Sequence, residues 1–240
     1  EFIGFPCYLK YTQRHIEAVS SHLILYSEAD YEAAQDKIAL GTCILEAWIP
    51  SEKVVSLSVV RNERGELLVY PPFEQVQSSA VSGTQVRYPV KLHEEVEREI
   101  RRLGRYLVET LALVGCMTID FLVTSAGVVY INSVEIGAKD AAMFTLGAMS
   151  LSCYEAMVRS VVGLPLPSLV PLADAAIALP LEALNAEQVM TQYMLRTDWG
   201  FAIFNPMGRN PLDLEGQVIV TGESLAHCQR QIELTDILKK

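Results

Sequence analysis

The chain has 240 residues, half of them apolar, and it carries a formal net charge of −10. This length is enough for one large domain or for two modest domains with real cores. The acidic balance excludes a typical nucleic-acid binder, because phosphate backbones require clustered Lys and Arg. No apolar run approaches the roughly 20 residues that a membrane helix needs, so we predict no membrane insertion.

The five cysteines are scattered and odd in number. They form no CxxC pair and no Cys/His spacing typical of metal ligands, which excludes a zinc site and a disulfide framework. A reducing, intracellular compartment fits this pattern best, either the cytoplasm or an organelle stroma or matrix. The chain starts at Glu1-Phe2 without a methionine or a visible signal peptide, and we expect an N-terminal piece to be missing.

The first fifty residues predict three short strands around one helix. Apolar runs place the strands at 5–10, 23–26 and 43–49. The helix is predicted over 27–39, with Ser27 as N-cap and Asp30 at the capping-box position. Gly41 then ends the helix, as a C-terminal glycine does.

The central part of the chain predicts two hairpins, each followed by a helix. The first hairpin joins strands at 54–61 and 66–70 through a polar turn that ends at Gly65. A long amphipathic helix follows over 93–113, with apolar residues at helical spacing: Val96, Ile100, Leu103, Leu107 and Leu111. The second hairpin joins 117–123 to 128–131, and a helix is predicted over 145–162.

Prolines between 164 and 171 mark a boundary to a smaller module. Beyond it we predict strands at 175–181, 201–205 and 217–221, and a short helix at 224–231. Hairpins, one long helix and isolated strand–helix units add up to an α+β fold.

In this order the pieces resemble the ATP-grasp family, and within it the carboxyaminoimidazole ribonucleotide synthetases. The resemblance covers nearly the whole chain and depends on collinear order and matched spacing, since no single motif is strong. The segments that carry it are Gly4–Lys10, Ile44–Pro50, Gly115–Thr124, Asn132, Tyr154-Glu155 and Val162–Leu166.

The resemblance implies a two-lobed fold that holds a nucleotide, followed by a small C-terminal β-rich domain. It divides the chain into a partial first lobe at 1–48, a second lobe at 49–165 and the small domain at 166–240. The family reaction, in purine biosynthesis, uses ATP and magnesium to activate bicarbonate and carboxylate an amine. By resemblance, Lys10 and Glu46 are candidate ATP contacts, Asp120 and Glu135 are candidate magnesium ligands, and Lys139 is a candidate catalytic cation.

Several residues depart from the family pattern. No glycine lies between Gly4 and Gly41, so the segment 12–21 lacks the glycines with which the family covers phosphate. Val54 stands where the family has a ribose-binding glutamate. Ser133 replaces the second metal glutamate, Gly137 replaces an arginine, and Asp213 reverses the charge of another arginine.

We therefore expect a degenerate member of the family, a pseudoenzyme that acts as a binding or structural subunit in a complex. One alternative is an active carboxylating ligase with rearranged ligands, which uses Lys10, Asp120, Glu135 and Lys139. Another is a nucleotide-binding sensor without turnover. The cofactors are accordingly ATP and magnesium, or none, and the expected partner is another protein or a second copy of the chain.

Overall fold

The computed structural model describes residues 3–11, 22–40, 42–77, 83–204 and 215–238. It divides into two compact units, Glu1–Pro50 and Ser51–Lys240, which are described separately below. In the described ranges, no helix is long and apolar enough to cross a membrane. Helices and antiparallel strands are mixed in both units, which confirms the predicted α+β class.

The first unit is a three-stranded antiparallel sheet with one helix. Its strands, in the order β2-β1-β3, are β1 (Cys7–Tyr11), β2 (His22–Leu25) and β3 (Cys43–Ala47). Helix α1 spans Asp30–Leu40. A small core forms where Cys7, Leu9 and Leu25 are buried with Ala34 of the helix.

Helix α1 begins two residues later than a helix capped by Ser27 would, but the predicted capping-box role of Asp30 is confirmed. The helix begins at Asp30, whose carboxylate accepts hydrogen bonds from the backbone N–H groups of Tyr26 and Ser27. Asp30 therefore reaches back to the preceding turn, as the acidic partner in a capping box does, and the turn itself is not helical. The predicted end at Gly41 lies outside the described residues.

The second unit is built on one antiparallel sheet, which has nine strands among the described residues. Along the sheet the order is β11-β12-β10-β7-β6-β4-β8-β9, and β5 pairs with β4. The strands are β4 (Lys53–Arg61), β5 (Leu67–Val69), β6 (Phe73–Gln77), β7 (Thr84–Tyr88), β8 (Gly115–Val123), β9 (Val129–Ile136), β10 (Ala175–Pro180), β11 (Trp199–Phe204) and β12 (Glu215–Gly222).

Helix α2 (Glu94–Thr110) covers one face of this sheet. Val55, Leu57 and Val59 alternate along β4 and pack with the helix in one core cluster. The buried face of the helix runs through Val96, Ile100, Gly104 and Val108, and Leu111 is exposed. The predicted helix is confirmed, and four residues of its predicted apolar stripe face the core, with Val96 and Ile100 buried and Leu103 and Leu107 partly buried. The prediction is wrong for Leu111, and it did not include Gly104.

The opposite face carries a 3₁₀ helix (Asp140–Phe144), α3 (Thr145–Ala148) and α4 (Cys153–Val161). The prediction of one helix over 145–162 is wrong, because the backbone is extended at Met149. There it forms a bridge with Pro171, and Ser150 N–H donates to the carbonyl of Val170. Ser152 then caps α4 by accepting from the N–H of Glu155.

Both predicted hairpins are present, and β9 is longer than expected. It continues to Ile136 and contains a bulge, because Asp120 pairs with Ser133 whereas the next residue, Phe121, pairs with Ile131. Asn132 is the extra residue. A bulge of this kind re-aims the side chains that follow it, here Ser133 and Glu135.

The C-terminal residues extend the same sheet. Strand β10 pairs with β7 on one side and with β12 on the other. This part of the chain also contains the helices α5 (Ala186–Leu195) and α6 (Leu225–Glu233). The three predicted C-terminal strands and the last helix are confirmed. Strand β7 and helix α5 were not predicted. The domain boundaries at 48/49 and 165/166 stay predictions.

Candidate functional site

A stripe of buried polar side chains crosses the sheet on the face opposite α2. Ser56 and Ser58 alternate with the apolar residues of β4 and are fully buried. On β8 their cross-strand partners are Asp120 and Thr118, respectively. The Ser58 and Thr118 hydroxyl oxygens are 3.1 Å apart, and Thr118 donates to the carbonyl of Gly137 at 3.0 Å. Every buried hydroxyl of this stripe therefore finds a partner in the protein.

Asp120 is the centre of this stripe, and both of its carboxylate oxygens are engaged by protein groups. Oδ1 accepts from Ser56 Oγ at 2.6 Å and from Gln75 Nε2 at 3.0 Å. Oδ2 accepts from Ser133 Oγ at 2.8 Å and from Lys139 Nζ at 2.7 Å. A carboxylate has about four lone-pair positions, so these four donors satisfy it.

Lys139 supplies the cation of this network. Its ammonium lies 2.7 Å from Asp120 Oδ2 and 3.4 Å from Glu135 Oε2, and it is also 3.2 Å from Ser133 Oγ. The side chains of Lys139 and Asp120 are only 18% and 11% exposed, so water screens their attraction less than at an open surface. The structure thus brings the predicted metal ligands and the predicted catalytic cation together, around an ammonium group.

The backbone of Lys139 is fixed from two sides. Its carbonyl accepts from the Tyr154 hydroxyl at 2.7 Å and from the Ala142 N–H at 2.8 Å, at the start of the 3₁₀ helix. Burial, with a smaller contribution from Asp140, raises the pKa of Tyr154 well above its usual range, so this hydroxyl stays a donor. Tyr154 is therefore a positioning residue for Lys139.

The network does not fit a magnesium ion as it stands. Magnesium needs close to octahedral oxygen coordination at about 2.0–2.1 Å, and it is usually held by one or two carboxylates and several waters. Here both oxygens of Asp120 are taken by neutral or cationic donors, and an ammonium lies between Asp120 and Glu135. Throughout the described part of the chain, no three His, Cys, Asp or Glu side chains are grouped to hold a metal.

The predicted ATP contacts lie in the first unit. Lys10 on β1 and Glu46 on β3 form an ion pair across the sheet, although their backbones are offset by two residues in register. The Lys10 ammonium is also 5.6 Å from the centre of the Tyr8 ring. The two candidates are therefore neighbours, and in this arrangement their charges neutralise each other.

A cavity of about 800 Å³ lies next to the network, and its lining includes residues of β6, β7, β9, β10 and β12. Gln75, Lys139 and Gln217 are among the residues that line it, and Gln217 Nε2 donates to the carbonyl of Asp140 at 2.9 Å. The charged residues on its described lining are Glu135, Lys139, Asp140, Glu182 and Glu215. This lining is mainly acidic, which is unfavourable for phosphate.

Three residues of the network were missed in the sequence: Ser56, Gln75 and Tyr154. The signal for Ser56 was present, because serine at alternate positions of an apolar strand indicates a buried polar partner. Two of the departures from the family pattern, the segment 12–21 and Asp213, lie outside the described residues. Val54 lies on β4 opposite Gln75 and Leu122.

Comparisons with known proteins agree with this fold. The chain is 27% identical over 143 residues to N5-carboxyaminoimidazole ribonucleotide synthase of Bacillus subtilis, which covers 60% of this chain and 37% of that protein. It is 19% identical over 221 residues to the enzyme of that name from Staphylococcus aureus, with 92% and 58% coverage. The chain therefore spans between about two fifths and three fifths of these relatives.

A solved structure gives the same result at the level of the fold. The ADP complex of an N5-carboxyaminoimidazole ribonucleotide synthetase superposes with a TM-score of 0.86, at 23% identity, over 97% of this chain and 61% of that one. The resemblance to these synthetases is thus confirmed. The model of the ATP-grasp domain matches residues 1–154, which is more than half of the chain, and the chain belongs to the ATP-grasp family.

Proposed function

We propose that this protein is a relative of the carboxyaminoimidazole ribonucleotide synthetases that does not carry out ligation and acts as a binding or structural subunit. The observation that carries the proposal is the saturated carboxylate of Asp120, with donors from Ser56, Gln75, Ser133 and Lys139. Phosphoryl transfer depends on metal ions and cations aimed at the phosphates. A carboxylate already neutralised by the protein has no capacity left for that task.

Charge around the site supports the same proposal. Lys139 is the cation on the described lining of the cavity, and it is paired with Asp120. Lys10 is paired with Glu46 in the first unit. Removal of one preorganised donor typically costs about 10²–10³ in rate, so the loss of several leaves little catalysis.

Turnover tests this proposal directly. The purified chain is incubated with ATP, magnesium, bicarbonate and aminoimidazole ribonucleotide, and release of ADP is followed with the Bacillus subtilis synthase as the positive control. We expect no ADP release above that of a sample without the ribonucleotide. ADP release that depends on the ribonucleotide and is lost in Asp120→Asn would establish an active ligase instead.

A nucleotide-binding role without turnover is the second candidate. It is supported by the similarity in fold to the ADP complex, which extends over 97% of this chain. Saturation at 100 times the dissociation constant stabilises a protein by about 2.7 kcal/mol, which for a chain of this size raises Tm by about 5–10 °C. A shift with ADP that disappears in Lys10→Met would favour this role, and no shift would leave the structural role.

The partner is expected to be another protein or a second copy of the chain, because a subunit without turnover acts through what it binds. Size-exclusion chromatography with light scattering distinguishes a monomer from a dimer of the chain.

We also propose a reducing intracellular compartment. The five cysteines, all of which lie in the described residues, form no disulfide, and the thiols of Cys116 and Cys153 are joined only by a hydrogen bond of 3.4 Å between their sulfur atoms.

A further inference from the structure

We infer that the Lys139 ammonium, which lies between Asp120 and Glu135, takes the place of the divalent cation that the family resemblance predicts at Asp120. The inference rests on the proposed function, since both require that Asp120 is withheld from a metal. It adds that this chain carries its own tethered cation at that position, and that removal of the cation uncovers a metal site.

The two carboxylates need a cation because of where the strands place them. Asp120 on β8 pairs with Ser133 on β9, and Glu135 lies two residues further along β9. Both acidic side chains contact the Lys139 ammonium, and Asp120 is buried. Like charges on neighbouring strands are destabilising unless a positive charge lies between them. The Lys139 ammonium, within 3.4 Å of a carboxylate oxygen of each residue, supplies that charge.

The distances fit an ammonium group. Charge-assisted N–H···O bonds are about 2.7–2.9 Å long, and the 2.7 Å contact of Lys139 with Asp120 lies in that range. The ammonium donates to Asp120 and Ser133, and it forms an ion pair with Glu135 at 3.4 Å. One lysine thus links three groups that a metal ion would otherwise have to organise.

Attachment of the cation to the backbone has a consequence for the whole network. The carbonyl of Lys139 is held by Tyr154 and by Ala142, so the ammonium cannot diffuse away as a bound ion can. Chelators and dilution therefore leave the network intact. Among the four donors to Asp120, Lys139 is the one that carries a positive charge.

Metal binding to variants tests the inference, with Mn²⁺ as an oxygen-seeking probe that is visible by electron paramagnetic resonance. Wild type is expected to bind no Mn²⁺ through Asp120. Lys139→Met leaves two carboxylates without their cation, and it should bind one Mn²⁺ about tenfold or more tighter than wild type. Addition of Asp120→Asn should abolish the new site. Lys53→Met is the matched control, because it removes another paired lysine of the same sheet, whose ammonium lies 3.8 Å from Glu74 Oε1.

Lys139→Gln provides a second variant, since its amide can still donate to Asp120 but carries no charge. If circular dichroism shows that neither Lys139 variant is folded, the test is the comparison of Mn²⁺ binding between wild type and Asp120→Asn. Equal, weak Mn²⁺ binding by these two proteins supports the inference. Mn²⁺ binding by wild type that is lost in Asp120→Asn overturns it, as does a folded Lys139→Met that binds no more Mn²⁺ than wild type. Ligase turnover would instead refute the proposed function, so the two failures are distinguishable.

Discussion

Replacement of Gly104 with alanine tests how closely α2 packs on the sheet. A Cβ atom at Gly104 would lie 2.4 Å from Leu57 Cδ2 and 3.2 Å from Val59 Cγ2, and both of these side chains are fully buried. Glycine inside a helix costs about 1 kcal/mol relative to alanine, so the substitution gains that much from helix propensity. Overpacking of a dense core costs about 1–3 kcal/mol, and a 2.4 Å approach to a buried methyl group belongs at the upper end.

The expected net loss is therefore about 1–2 kcal/mol, which lowers Tm by about 2–8 °C for a chain of this size. Thermal and urea unfolding of Gly104→Ala, Leu57→Ala and the double variant form a double-mutant cycle. Because Leu57→Ala removes the clashing methyl group, the alanine at 104 should be less harmful in that background, with a coupling of about 1–2 kcal/mol. A Gly104→Ala protein that is as stable as wild type, or additive effects in the cycle, would refute the close packing.

Three further substitutions or treatments have defined outcomes. Burial raises the pKa of Tyr70, whose hydroxyl donates to the Leu151 carbonyl at 3.0 Å. Because the pKa is higher in the folded than in the unfolded protein, the free energy of unfolding is full below about pH 10 and falls above it by up to about 1.4 kcal/mol per pH unit. In urea titrations at alkaline pH, Tyr70→Phe should make this loss shallower. Ala112 follows α2 at φ +47°, and Ala112→Gly should therefore raise the unfolding free energy by about 1 kcal/mol, whereas an unchanged or lower value would contradict the strain at this position. A thiol reagent should label the half-buried Cys43 faster than the other four cysteines in the native protein, because Cys7, Cys116, Cys153 and Cys228 are buried. Burial also raises the pKa of Cys228 to about 11. Labelling of any of these four as fast as Cys43 in the native protein would contradict their burial.

The elements that the sequence predicted well are those in which period and turn chemistry agree. The hairpin through Gly65 is an example, since the glycine adopts the positive φ of a turn and the flanking strands are apolar. Strand β7 was missed because Gln85 and Arg87 interrupt its apolar residues. Helix α5 was missed although its cap was visible: Asn185 accepts from the N–H groups of Glu187 and Gln188.

The long helix shows where periodicity alone fails. The predicted stripe of apolar residues faces the sheet except at Leu111, yet the helix approaches the sheet most closely at Gly104, which the pattern did not include. A glycine allows the helix to approach β4 closely, and this gain in dispersion contacts along the whole seam outweighs the burial of one leucine. Hydrophobicity scales give glycine no such weight.

The candidate site could be predicted in part. Asp120, Glu135 and Lys139 lie within twenty residues of each other around one hairpin, so a local reading was enough to place them together. Ser56 and Gln75 are 64 and 45 residues from Asp120, and their contacts follow from the pairing of β4 with β8 and β6. Strand register over such separations is fixed by the packing of the sheet, which a single sequence does not display.

The continuity of the sheet through β7 and β10 determines how the chain would respond to a protease. Residues 165–168 are mostly exposed, whereas Val170 and Leu172 are hydrogen-bonded to Ser150 and Ala148, so we consider a single cut within 165–168. The piece that follows the cut would still be paired with Val86, Arg87 and Tyr88 through β10. The two fragments would therefore remain associated after nicking and separate only in denaturant, and a gel without denaturant would still show one particle.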